Sequence, residues 1–128
     1  TPVNNTTYSL NELEYINIFK KSRPIIKSLK NYKKKGNIYL QLDICNIKNS
    51  DKYTDIKYQI KYSRKSNFKS TKSTTIPQTS KSKYTRKQWK VAKNKTYYVK
   101  VRMSAKIKSG RRIYSRYSNT KKIKTPKK

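Results

Sequence analysis

Apolar residues recur at every second position along several short stretches of this chain, and that period of two limits the fold more than any other feature. In "DIKYQIKYS", residues 55–63, Ile56, Tyr58, Ile60 and Tyr62 fall on one parity, and Lys57, Gln59 and Lys61 on the other. "NKTYYVKVRM", residues 94–103, repeats the arrangement with Tyr97, Val99, Val101 and Met103 against Tyr98, Lys100 and Arg102. Successive side chains of a strand point to opposite faces, so such runs predict strands with one face buried and one wet.

The same reading extends across residues 24–125. "RPIIKSLKNY" opens a strand at a proline, "KKKG" is a turn, and "NIYLQLDI" sets Ile38, Leu40, Leu42 and Ile44 against Tyr39, Gln41 and Asp43. "STKSTTIPQTSKS" reads as a weak edge strand and loop, "KYTRKQWKV" presents Trp89 and Val91 on one face, "KSGRR" turns, and "IYSRYSNTKKIKT" returns as the last strand. About seven strands at roughly ten-residue spacing, with no run of helical period, predict an all-β, immunoglobulin-like seven-stranded sandwich.

Residues 1–22 differ and read as an N-terminal arm before one domain, residues 23–128. Ser9 and Glu12 fit a helix capping box, with Leu10, Leu13, Ile16 and Ile18 on a helical face. "YINIF" alternates equally well as a strand, so both conformations stay open. The arm packs either on its own domain or on a neighbour. A start without Met fits a processed or trimmed product, and neither a signal peptide nor an apolar run long enough to span a membrane is present.

Composition then bounds the chemistry. The chain of 128 residues has 35 Lys and Arg against five acids, a formal charge of +30, and no acid after Asp55. Leu, Ile, Val and Phe are few enough to favour disorder, but 12 tyrosines can bury rings while keeping hydroxyls wet. No internal pairing neutralises such an excess, so a polyanion or high salt should relieve self-repulsion. The lysine excess also fits an AT-rich coding sequence.

Catalysis is poorly served. There is no His, and the single Cys45 lacks an activating base and reads as a packing residue. Glu12, Glu14, Asp51 and Asp55 read as solvated surface, and no metal-ligand or calcium-loop spacing occurs. Gly36 and Gly110 alone cannot build a phosphate-cradling loop, so no enzyme and no cofactor are expected. Sequons at Asn4, Asn5 and Asn94 matter only in a eukaryotic secretory pathway.

Residues 24–125 resemble a fibronectin type III domain of the kind carried by secreted and surface proteins of Gram-positive bacteria. The resemblance lies in "RPIIKSLKNYKKKGNIYLQL", in "YQIKYSRKSNF", in "WKVAKNKTYYVKVRM" and in the ending "SGRRIYSRYSNTKKIKT". It implies that Tyr97 is a corner tyrosine and that the third, sixth and last strands share a sheet. Two positions depart from the family: Leu42 stands where a core tryptophan is usual, with Trp89 able to supply that volume, and Asn94 replaces the corner glycine.

Under that arrangement Lys57, Lys61, Lys100, Arg102, Arg116, Lys122 and Lys124 line one sheet face with Tyr98 among them, and Lys106, Lys108, Arg111 and Arg112 extend it into the following loop. Lysines on a sheet contact phosphate or sulfate without reading bases. The function expected is a non-catalytic secreted surface or adhesion module that binds polyanions: teichoic acid, extracellular DNA or sulfated glycans. A self-assembling filament subunit that adds residues 1–22 to a neighbouring sheet is a second reading, and an inert spacer of a longer protein is a third.

Overall fold

The structure, a computed structural model, describes residues 10–47, 53–78 and 83–127. Among the described residues helix α1, Leu10–Lys21, precedes eight strands: β1, Ile26–Lys34; β2, Asn37–Cys45; β3, Thr54–Ser63; β4, Lys72–Pro77; β5, Tyr84–Val91; β6, Thr96–Lys106; β7, Arg112–Tyr114; and β8, Lys121–Lys124. They form two antiparallel sheets. The first has the order β1–β2–β5, and the second runs β4–β3–β6, with β7 and β8 sharing the free edge of β6. The result is an all-β sandwich with one short helix.

Alternation decides which side chains meet between the sheets. Leu42 and Ile44 from the first sheet join Tyr58, Ile60, Val99 and Val101 from the second, all fully buried. Trp89 packs against this core, its ring 5.2 Å from that of Tyr62. Tyr58 is the largest side chain sealed inside, and burial pushes its hydroxyl up to about 12. It stays protonated and donates to the Gln78 side chain at 2.6 Å, fixing the segment after β4 to the core.

Strict alternation would put Ile26 and Leu29 on opposite faces, since they lie three residues apart. A register shift between Ile26 and Ser28 lets both face inward and turns Ser28 outward to Asp43. Lys34 and Asn37 pair across a two-residue turn in which Lys35 has φ +51° and Gly36 φ +80°, the left-handed pair that tight hairpins need. Asn94 adopts φ +54°, the conformation its side chain tolerates better than most. Just after it, buried Tyr97 accepts a hydrogen bond from Ala92 N–H at 2.9 Å, tying the β5–β6 connection to the start of β6.

Of the two conformations open for residues 1–22, the described part takes the helical one and packs into the core of its own domain. Tyr15, Ile16 and Phe19 are buried, whereas Leu13 and Ile18, expected on the apolar face, are exposed. The helix turns its aromatic side inward because Tyr53 receives it. The Tyr53 hydroxyl donates to the Tyr15 carbonyl at 2.6 Å, and its ring lies 5.1 Å from that of Phe19. Asn4, Asn5, Ser9 and Asp51, and the side chains of Leu10 and Glu12, lie outside the described residues.

Asp43 sits on the outer face of the first sheet, nearly buried between its cross-strand neighbours. It accepts from Arg86 Nε at 2.8 Å and Arg86 Nη2 at 3.2 Å, and from the Ser28 hydroxyl at 3.3 Å. The Arg86 hydrogen bonds hold its carboxyl below the ordinary value despite burial. A lowered folded pKa stabilises the fold above the unfolded value, near about pH 4, and that contribution disappears as pH falls through the folded pKa. Asp43→Asn is expected to cost about 1–2 kcal/mol at pH 7, the gap to the parent closing as pH falls through the lowered folded pKa. Urea unfolding of both proteins across that range checks it.

Candidate polyanion-binding face

The outer face of the second sheet is set by register. Lys61 pairs with Lys100, Gln59 with Arg102, and Lys57 with Ser104, so these side chains stand in adjacent rows. Tyr98 lies beside Lys122, and Thr96 beside Lys124, where β8 covers the edge of β6. Lys57, Lys61, Tyr98, Lys100 and Arg102 are half-exposed, and Lys122 and Lys124 are exposed. The structure thus brings together seven of the twelve residues expected to form the face.

The remaining five are placed differently. Arg112 donates to the Asp55 carboxylate and carbonyl and to the Ser104 hydroxyl, and Lys106 lies 4.0 Å from the same carboxylate. Asp55, expected as a solvated loop residue, instead sits within β3 at a register shift with φ +51° and ties down two of the predicted cations. Lys108 and Arg111 are exposed at the β6–β7 turn. Arg116 is exposed, and its N–H donates to the carbonyl of Ser22, just after α1.

Directly opposed lysines repel each other, yet Lys61 and Lys100 are neighbours here. Cation–ring contacts offset that repulsion. Arg102 lies 4.5 Å from the ring centre of Tyr114 and 5.2 Å from that of Tyr117. Lys100 lies 4.7 Å from Tyr117 and 4.2 Å from Phe68, and Lys61 lies 5.1 Å from Tyr117. An electron-rich ring attracts a cation without neutralising it, by about 0.5–1 kcal/mol per exposed contact. These contacts hold long, flexible side chains in place while their charges remain available to a partner.

The last strand, expected to be continuous from Ile113, is broken, and the break creates this ladder. Ser115 N–H donates to the Met103 carbonyl at 2.9 Å, and Met103 N–H donates to the Ser115 hydroxyl, also at 2.9 Å. Ser118 repeats the exchange with Val101, at 2.6 and 3.0 Å. Two positions along β6 therefore match three along "YSRYS". Each repeat buries a serine and turns the preceding tyrosine, Tyr114 or Tyr117, to the outer face.

Sequence reasoning located the cations by parity but missed the rings. The repeated Tyr-Ser pair was the available signal for Tyr114 and Tyr117. Phe68 had none, because its position depends on the β3–β4 loop, where Phe68 and Ser70 take φ +58° and +56°.

Tyr117 has a second peculiarity, since its hydroxyl is buried with no hydrogen-bond partner among the described residues. Removing only that oxygen by Tyr117→Phe is expected to leave stability unchanged or raise it by up to about 1 kcal/mol. Tyr117→Ala, which removes the ring beneath three cations, should cost about 2–3 kcal/mol. Denaturant midpoints of the two variants separate the contributions of ring and hydroxyl.

Among the described residues no cluster of acids, Cys or His is arranged to hold a metal, and no helix is long and apolar enough to cross a membrane. Compared with protein-family models and with curated proteins, the chain matches none.

Proposed function

We propose that this chain is a non-catalytic, fibronectin type III-like module of a secreted bacterial surface protein, and that the outer face of its second sheet binds polyanions without reading their sequence. The fold part of this reading is supported by the three-stranded sheet facing the larger one, by the Tyr97 hydroxyl bonded back to Ala92, and by the serine exchange along "YSRYS".

The binding part rests on one observation above others: Lys61 of β3 and Lys100 and Arg102 of β6 are stacked on rings rather than paired with acids. Five acids cannot serve 35 bases, and the described ion pairs draw on Asp43, on the other sheet, and on Asp55, at the end of β3. A teichoic acid, extracellular DNA or a sulfated glycan presents closely spaced negative charge to such a face. Preordered cations lose less side-chain entropy on binding than free lysines do.

Counterion release makes such binding strongly salt-dependent. The protein should be retained on heparin and on single-stranded DNA at physiological ionic strength, and should elute only as salt rises well above it. Elution from both matrices at low ionic strength would overturn the reading.

A further inference from the structure

A second basic site lies at one end of the sandwich. The β3–β4 hairpin, the end of β5 and the start of β6 enclose an open cavity of about 850 Å³. Arg64, Lys65, Lys69, Lys72 and Lys90 line it, no carboxylate does, and none of the five enters an ion pair among the described residues. Its wall includes Tyr62, Val91 and Tyr97, so rings and apolar surface sit beneath the charges.

Five cations around one concavity repel each other, and a bound anion would relieve that repulsion. The volume falls in the range that holds a small organic molecule, well beyond the needs of an inorganic ion. Aromatic and apolar walls suit the face of a sugar ring, and the cations suit its acidic substituent.

The β3–β4 hairpin also connects this cavity to the sheet face. Lys100 stacks on Phe68, while the next two residues, Lys69 and Ser70, line the cavity. A polymer following the face past Phe68 reaches the cavity within one or two residues of the loop.

We propose that this cavity binds a single sugar unit carrying a phosphate or sulfate group, captured as one repeat of the polymer held on the outer face. The choice of ligand class rests on the polyanion reading, whereas none of the cavity cations belongs to that face.

The single tryptophan provides a local readout, because Trp89 packs against Tyr62, which lines the cavity. The protein is titrated separately with a heparin-derived disaccharide, with thymidine monophosphate and with inorganic phosphate while Trp89 fluorescence is followed. A saturable change with the disaccharide or the nucleotide, and weaker binding of inorganic phosphate, is expected, and the better ligand distinguishes a sulfated from a phosphorylated source.

The exposed triple variant Arg64→Gln, Lys65→Gln, Lys69→Gln should raise that Kd about tenfold or more, whereas Lys61→Gln with Lys100→Gln should leave it within about twofold. The proposal is overturned if neither sugar ligand changes the fluorescence at millimolar concentration, if inorganic phosphate binds as tightly as the sugar ligands, or if only the face variant weakens binding. Retention of the intact protein on heparin alongside a silent cavity would sink this inference and leave the face reading standing. Loss of retention with an intact fluorescence response would overturn the face reading and the capture of a polymer repeat, and leave the cavity as a site for the single sugar unit alone.

Discussion

Truncating Phe19 to alanine is expected to destabilise the fold by about 3–5 kcal/mol, the largest loss from any single change considered. Phe19 is 3% exposed and packs on Tyr53 beside Tyr15 and Ile16, all within the same core cluster as Ile44 and Val101. Domains of this size are stable by only about 5–15 kcal/mol, and self-repulsion at +30 lowers the margin. Urea unfolding should show a markedly lower midpoint with an unchanged slope, the sign of a loss of stability within one cooperative unit. A detachable arm that serves only to join neighbours predicts an unchanged midpoint. Strand addition by this segment would first have to pull three aromatic and aliphatic side chains from the core.

The second large effect concerns binding. Replacing Lys57, Lys61, Lys100 and Arg102 together by glutamine should weaken binding to single-stranded DNA by about 100-fold or more at low salt. It should also reduce the slope of log K against log salt by about 3, since each phosphate contact contributes roughly 0.7 on a single strand. The variant loses the cation–ring contacts of Lys61, Lys100 and Arg102 and the Arg102–Gln59 hydrogen bond, partly offset by relief of the Lys61–Lys100 repulsion, so binding is compared under conditions where circular dichroism shows both proteins folded. A spacer whose charge has no binding role predicts no change in either quantity. An equal effect from neutralising four cations elsewhere would mean that net charge, rather than this face, controls binding.

The sandwich was legible because burial enforces alternation. Tyr97, Val99, Val101 and Met103 face inward, and Tyr98, Lys100 and Arg102 outward, as their parity requires. Three features depend on geometry that a period of two does not encode. The helix was ambiguous because "YINIF" fits both periods, and the choice of Tyr15 and Phe19 over Leu13 and Ile18 came from Tyr53, distant in sequence. The ring ladder depends on a three-for-two match between "YSRYS" and β6, which breaks the last strand. The basic cavity depends on the path of the β3–β4 loop and on the end of β5, which meet only in the fold.

The same distinction explains the fate of the cations. Lysines on β3 and β6 were located by strand parity, and they stand together. Arg112 and Lys106 were assigned from loop position alone, and the register shift at Asp55 captured them. A single acid at a bulge thus limits one end of the face, leaving the central rows of Lys61, Lys100 and Arg102 as its densest cluster without an acid partner.

The central claim is that binding is localised to one side of the sandwich. The two outer faces differ in a way that permits a direct test: the first sheet carries Asp43 paired with Arg86, the amide pair Gln41–Gln88 and Lys27 over the Tyr84 ring, and the second carries the cluster of Lys61, Lys100 and Arg102 around Tyr117. Backbone amide resonances should be followed while a heparin oligosaccharide is added at about 150 mM ionic strength, where exposed charges further apart than about 8 Å are screened from each other. Shifts concentrated in β3, β6 and β8, and in the cavity lining at the β3–β4 hairpin and Lys90–Val91, with β1, β2 and the rest of β5 unmoved, are the predicted result. Shifts spread evenly over both sheets, or none at all, would contradict it.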